Sequence, residues 1–440
     1  MKSRLTRAAL AGISATVQCP DYDFENLPIG MVHLGVGAFH RAHQALYTEE
    51  AIRAAGGPWG VLAVALRSAA VPNALNSQDG LYTVEFLADA PVFRVVAIIR
   101  KALAAARDRE TLIAALAAQQ THVVTLTVTE KGYCLDSTGA LDTSHADIVH
   151  DIDNPTSPDS TIGWLALGLR RRHAAGGPPL TVLSCDNLKD NGSRLEAAVS
   201  AYLERTAPEM RSWIEKSVRF PRTVVDCIVP ASSEASRART VQALGLIDEA
   251  CVQREPFSQW VIEDCFAGPR PAWERGGAQL VDDVAASGRL KLHVLNTCHS
   301  ALAYLGLPRG HQYVREAMAD EDLSQFLAEL VSREIAPALH PLTVKDYWQS
   351  VRNRFANPHI DHRLAQIAQD GAQKLAERVF PLMVANIAGG APIERLSRIV
   401  RAWLGHANIS PESAFADPTL LPASLRGNCV VRSAVIGGIP

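Results

Sequence analysis

A chain of 440 residues, 48% hydrophobic and 20% charged, can bury more than one core and is too apolar to be largely disordered. Its 43 basic and 46 acidic residues leave a formal charge of -3, which provides no field for nucleic acid or an anionic membrane. The apolar runs fall far short of the roughly 20 residues of a membrane helix. Eight scattered cysteines (Cys19, Cys134, Cys185, Cys227, Cys251, Cys265, Cys298 and Cys429) form no C-x-x-C pair. The expectation is reduced, mostly buried thiols in a cytoplasmic protein with no metal, since structural zinc needs closely spaced ligands. His40 and His43 flank Arg41 with no nearby carboxylate, which argues against a metal pair. Lys2, Arg4 and Arg7 before Ala-Ala-Leu-Ala-Gly mimic a signal peptide, but the apolar centre is short.

In chain order, residues 30–37 read as a buried strand ending in glycines, followed by a helix over 38–51 and a strand over 59–67. Residues 95–99 read as a strand, 103–119 as an alanine-rich helix and 122–129 as a strand ending at Glu130. A helix over 162–173 and an Ala-Gly-Gly-Pro-Pro turn lead to a strand over 180–184. Such alternation implies an α/β, Rossmann-type parallel sheet. Beyond about residue 285 helical patterns dominate, at 291–305, 321–335, 362–374, 381–388 and 392–404. Two domains follow, a dinucleotide-binding one over 1–284 and a mainly helical, substrate-binding one over 285–440. The run Arg170 to Arg172 reads as a solvated helix end.

Gly35-Val-Gly37 lies between a strand and a helix, where glycines let a backbone approach a pyrophosphate. Gly35, Gly37, Ala38 and Phe39 would then carry the cofactor, although His40 replaces the third glycine of G-x-G-x-x-G. The second strand ends Leu66-Arg67-Ser68-Ala69-Ala70 without the acid that holds a ribose 2′-hydroxyl. Arg67 could accept a 2′-phosphate or be a loop charge, so NAD is expected and NADP is not excluded.

Lys291, Asn296 and His299 stand in an otherwise apolar stretch that reads as one buried helix. Asn296 and His299 share a face, and Lys291 lies eight residues before His299 in the same arc. Desolvation there disfavours a charged lysine, which suits a general base, and amides beside it could donate to a developing alkoxide. A snorkelling lysine with satisfied core polars is the competing reading. Ser184-Cys-Asp-Asn187 lies at the carboxyl end of the fifth strand, where open sheets bind ligands, and Glu130 would face the same crevice. The Asp-Asn pair, followed by Asp190-Asn191-Gly192, also fits an ordinary turn.

Together these stretches resemble the polyol-specific long-chain dehydrogenase/reductase family, which includes mannitol dehydrogenase and fructuronate reductase. The resemblance rests on His33-Leu-Gly-Val-Gly-Ala-Phe-His-Arg-Ala-His43, Thr127-Val-Thr-Glu-Lys-Gly-Tyr133, Ser184-Cys-Asp-Asn187 and Phe220-Pro-Arg-Thr-Val-Val-Asp226. It extends through Glu255-Pro-Phe-Ser-Gln-Trp-Val-Ile-Glu-Asp264 and the Lys291, Asn296, His299 spacing. It implies a metal-independent, nicotinamide-dependent enzyme, often monomeric, so a monomer or weak homo-oligomer is expected. By motif position, Lys291 would be the general acid/base, Asn187 and Asn296 an oxyanion hole, and His299 a substrate-orienting residue. Asp226 matches a substrate-site aspartate and Glu130 a glutamate near the nicotinamide. The ending Val435-Ile-Gly-Gly-Ile-Pro440 looks shorter than the family's usual tail and implies a missing terminal helix.

The run His362-Arg-Leu-Ala-Gln-Ile-Ala-Gln-Asp-Gly-Ala-Gln-Lys374 resembles the fructuronate-reductase branch. On one helix, Arg363, Gln366, Asp370 and Lys374 would form a stripe. A uronate carboxylate needs a cation, and Arg363 and Lys374 are the expected partners. The implied reaction interconverts D-mannonate and D-fructuronate. Mannitol to fructose, another polyol, or a non-catalytic dinucleotide sensor are the rival readings.

Overall fold

The computed structural model describes residues 3–436. The chain forms two compact units, Met1–Val284 and Ala285–Pro440. The first is built on a six-stranded sheet in the spatial order Ile99–Ala104, Gly60–Ala65, Ile29–Leu34, Val123–Leu126, Leu180–Ser184, Val218–Arg219. Every neighbouring pair is parallel. Numbered along the chain, these strands run 3-2-1-4-5-6, the doubly wound order. Near-continuous apolar runs such as Val-Leu-Ala-Val suit strands covered on both faces, and Val32, Leu34, Val64, Val124 and Val182 are fully buried.

Two three-stranded sheets flank this core. One pairs Tyr82–Phe86 with Val92–Val96 and Val252–Arg254; the other pairs Gln259–Glu263 with Thr223–Asp226 and Gln279–Val281.

Several elements differ from the sequence expectation. The helix expected over 103–119 starts as the edge strand Ile99–Ala104 and becomes helix only at Arg109–Ala117. Pairing with the second strand overrides alanine's helix preference, and Asp108 stops the strand by accepting the Ala104 N–H at 2.9 Å. The strand expected at 95–99 is the end of one strand and the beginning of the next. The helix expected over 38–51 breaks at His43 into Ala38–Ala42 and Gln44–Ala55. Asn191 opens the sixteen-residue helix Asn191–Thr206 rather than an isolated turn.

Arg172 is no solvated helix end. It is fully buried in the helix Thr161–Ala174 and donates to the carbonyls of Pro178 (2.7 Å), Ala118 (2.8 Å) and Thr121 (2.9 Å). Carbonyls left over at the end of the helix Arg109–Ala117 need donors, and a guanidinium supplies several at once. Of the free cysteines four are buried, while Cys265 and Cys429 are exposed.

The second unit is helical, around a core that includes Leu302, Phe355, Leu364, Leu375 and Trp403. The helix expected over 362–374 is interrupted. Arg363 caps the four-residue helix Leu364–Ile367, Asp370 adopts a left-handed φ of 55°, and Gly371–Arg378 begins afresh. Arg363 and Lys374 therefore do not share one helical stripe. The last described helix is Cys429–Ile436; residues 437–440 at the tail lie outside the described residues.

Candidate active site

Strand order reverses between Ile29–Leu34 and Val123–Leu126, and the ligand crevice of such a sheet lies beyond the carboxyl ends of those strands. Gly35 turns the chain there with φ of 94°, and a Cβ on it would stand 2.1 Å from Thr127 O. Only glycine fits. The turn is fastened by His33, whose ring nitrogens reach Thr125 Oγ1 (2.7 Å), Thr127 Oγ1 (3.0 Å) and Gly35 O (3.1 Å). Burial pushes the His33 pKa down to about 3, so this ring stays neutral.

Gly37 is exposed, and a Cβ there would meet nothing of its own chain nearer than Gly35 O at 3.7 Å. The first turn after it, with Ala38 and Phe39 half-buried, carries N–H groups that lack intrahelical acceptors. An open glycine edge beside such donors fits a pyrophosphate. His40, in place of the third glycine, is buried and stacks on His33 at 3.4 Å. Arg67 is exposed just past the second strand, and its charge reaches Cys134 in the turn after the fourth.

Two residues that the sequence reading passed over hold the crevice loops. The Asp186 carboxylate accepts the N–H groups of Val128 (3.0 Å) and Thr129 (2.8 Å) and the Tyr133 hydroxyl (2.7 Å). It thereby ties the segment bearing Asn187 to the loop bearing Glu130. Both of those side chains are exposed. Strand alternation gives no signal for Asp186, because both Asp186 and Asn187 lie in the bend after Leu180–Ser184. Asn191 does similar work. Its Nδ2 lies 3.1 Å from Asp186 O and 3.0 Å from Thr223 Oγ1, and its Oδ1 accepts the Thr223 N–H at 2.9 Å. That fixes the start of the strand Thr223–Asp226, at whose far end Asp226 is buried.

In the second unit, Lys291 begins a π-helical turn, Lys291–Leu295, that runs into the helix Asn296–Gly306. The stretch is not uniformly buried: Lys291 and Asn296 are half-buried, while His299 is buried. His299 stacks on Phe355 at 4.4 Å and meets the edge of His362 at 5.0 Å. Burial holds His299 well below the usual imidazole range, with His362, Arg378, Arg354 and Lys291 adding to the effect. His362 is pushed down to about 4 by burial and by Lys374. Lys374 Nζ donates to Ile367 O at 3.1 Å. Arg363 is exposed, with its guanidinium carbon 5.9 Å from the Tyr313 ring centre.

Among the described residues, Cys134, His145 and Asp147 bring potential metal-ligand atoms within 4.8 Å of one another. Burial, reinforced by Asp147, pushes the Cys134 thiol up to about 11, and His145 Nδ1 accepts the Asp147 N–H. The imidazole thus caps the helix Ala146–Asp153, which accounts for its place.

Comparison with known proteins agrees with this architecture. Residues 29–275 match the mannitol dehydrogenase Rossmann domain and residues 283–416 the mannitol dehydrogenase C-terminal domain. The chain is 42% identical to the uncharacterized oxidoreductase YeiQ of Escherichia coli, over 83% of this chain and 76% of that protein. It is 38% identical to the D-mannonate oxidoreductase of the same organism, over 88% and 81%. The structure of Pseudomonas fluorescens mannitol 2-dehydrogenase, in complex with NAD and D-mannitol, superposes with a TM-score of 0.88 at 32% identity, covering 99% of this chain and 96% of that one. No described helix is long and apolar enough to cross a membrane. The chain therefore belongs to the mannitol dehydrogenase family of oxidoreductases.

Proposed function

We propose that this protein interconverts D-mannonate and D-fructuronate with NAD. The observation that carries the choice of a sugar acid is the charge around His299. Arg378 and Arg354 both place positive charge on it, and Lys374 acts on the adjoining His362. A neutral polyol has no need of such a cluster, whereas a carboxylate does. The 38% identity to a D-mannonate oxidoreductase supports the same reading.

NAD, when bound, accepts the hydride from the carbinol carbon. Gly35, Gly37, Ala38 and Phe39 would hold its pyrophosphate, and Arg67, exposed just past the second strand, would be available to a 2′-phosphate, so NADP is a second acceptable cofactor. Neutral Lys291 takes the proton of the reacting hydroxyl. The amides of Asn187 and Asn296 donate to that oxygen as negative charge develops on it, without a metal. His299 is uncharged and its buried Nε2 has no hydrogen-bond partner among the described residues, so it can bind a substrate hydroxyl. Asp226, Glu130, Lys374 and Arg363 are the further substrate-binding residues of this reading. A monomer or weak homo-oligomer in the cytoplasm, acting on a small molecule, completes the reading.

The test is nicotinamide absorbance with D-mannonate and D-mannitol, each with NAD and NADP. Turnover of mannonate at least tenfold above mannitol is expected. Preference for mannitol, the ligand of the P. fluorescens relative, would replace the sugar-acid reading with a polyol one.

A further inference from the structure

We infer that Arg378 is the residue that recognises the carboxylate of the substrate and so sets the enzyme's preference for sugar acids. This rests on the sugar-acid reading above. Arg378 ends the helix Gly371–Arg378 and is anchored by its main-chain carbonyl and by its guanidinium to the π-turn and helix that carry Lys291, Asn296 and His299. Its carbonyl accepts His293 Nδ1 and Thr297 Oγ1, each at 3.1 Å. Its Nη1 donates to Ser300 Oγ at 3.1 Å and lies 3.4 Å from Asn296 O. Backbone and guanidinium are thus both fixed against the turn from Asn296 to Ser300.

Position and chemistry agree. Ser300 stands four residues beyond Asn296, about 6 Å along a helix. In fructuronate the ketone and the carboxylate are four carbon–carbon bonds apart, about 5 Å when extended. A sugar acid whose reacting oxygen lies at Asn296 can therefore lay its carboxylate beside the next turn, where Arg378 is held. A planar guanidinium fixed in orientation suits a carboxylate better than a mobile ammonium does. The other cations fit less well. Arg363 is exposed beside Tyr313, while Lys374 Nζ donates to Ile367 O.

The experiment compares wild type, Arg378→Gln and Arg378→Lys on D-mannonate and on its neutral amide, D-mannonamide. Glutamine keeps a donor for Ser300 and removes the charge; lysine keeps the charge and loses the fork. The ratio of kcat/KM for the acid to that for the amide should fall about 100-fold in Arg378→Gln, mainly through KM, the loss of a charge-assisted contact. Arg378→Lys should recover about tenfold of that ratio. An unchanged ratio in Arg378→Gln, with both substrates weakened equally, would mean that Arg378 only braces the helix, and the assignment falls. A wild type that turns over mannitol but not mannonate overturns the assignment together with the reading beneath it. Mannonate turnover with an indifferent Arg378 overturns the assignment alone.

Discussion

Removing the Asp186 carboxylate tests whether the crevice is held by buried polar contacts rather than by packing. Asp186 is 9% exposed, and its carboxylate takes three donors: two main-chain N–H groups of the loop after the fourth strand and the Tyr133 hydroxyl. In Asp186→Ala the phenol keeps Ser184 Oγ as a partner, but the N–H groups of Val128 and Thr129 lose theirs. An unsatisfied buried donor costs about 1–3 kcal/mol. Thr129 is exposed enough for water to replace part of its loss, so the total should be about 3 kcal/mol. Asp186→Asn should lose about half as much, because whichever way its amide rotates the oxygen keeps one of the two N–H groups and the NH2 faces the other. Urea unfolding followed by tryptophan fluorescence measures the stability, and kcat measures whether the loops carrying Glu130 and Asn187 stay in place. A decrease in kcat of at least 100-fold is expected. An Asp186→Ala protein within about 0.5 kcal/mol of wild type, and with normal kcat, would show that the carboxylate does not hold these loops.

The two glycines at the crevice should separate folding from cofactor binding. Gly35→Ala drives a Cβ against Thr127 O and should lower thermal stability markedly, whereas Gly37→Ala has room and should fold normally yet weaken NADH at least tenfold in a fluorescence titration. Equal behaviour of the two variants would count against the pyrophosphate assignment. Lys291→Ala should retain NADH affinity and lose about 10³-fold in kcat, within the usual range for general acid/base residues; unchanged turnover would remove Lys291 from the mechanism. His362, neutral in the fold down to about pH 4, titrates near pH 6.5 when unfolded. Between those values the unfolded chain binds the extra proton, so stability falls as pH falls, by about 1.4 kcal/mol per pH unit from this group. Urea midpoints from pH 7 to 4.5 should decline less steeply in His362→Gln, and parallel profiles would refute the burial argument.

The elements legible in the sequence are those whose side chains carry one message. Strands of the central sheet are apolar on both faces and stand out as runs. The flanking strands were hidden because their pattern is broken by charges that the fold then pairs. Glu85, in Tyr82–Phe86, is almost fully buried against Arg239 at 2.6 Å, and Arg94, in Val92–Val96, meets Glu49 at 2.6 Å. A strand bearing a buried ion pair resembles a loop until its partner, 154 or 45 residues away, is known. Arg172 misled for the same reason. The residues of the proposed chemistry were visible by type and spacing, but Asp186, Asn191 and Arg378, which position or extend that chemistry, act through main-chain groups whose locations only the fold reveals.

The π-turn at Lys291 shows how a spacing that looks wrong can be right. On a continuous α-helix, residues five apart point about 140° away from each other, so Lys291 and Asn296 could not serve one oxygen atom. Here the Asn296 N–H bonds to Lys291 O, five residues back, and one wide turn separates the two. The extra residue is absorbed, and Lys291 stands over Asn296 as if the two were four positions apart rather than five. It follows that deleting Leu292 should convert the wide turn to an ordinary one and keep the two side chains on one face. Turnover should then survive within about 100-fold, the penalty for a shift of about 1 Å. Inserting one alanine at the same place should rotate Lys291 by about 100° and match the loss in Lys291→Ala. If insertion is tolerated, or deletion is as damaging as insertion with the helical circular dichroism intact, the wide turn is not what aligns the lysine.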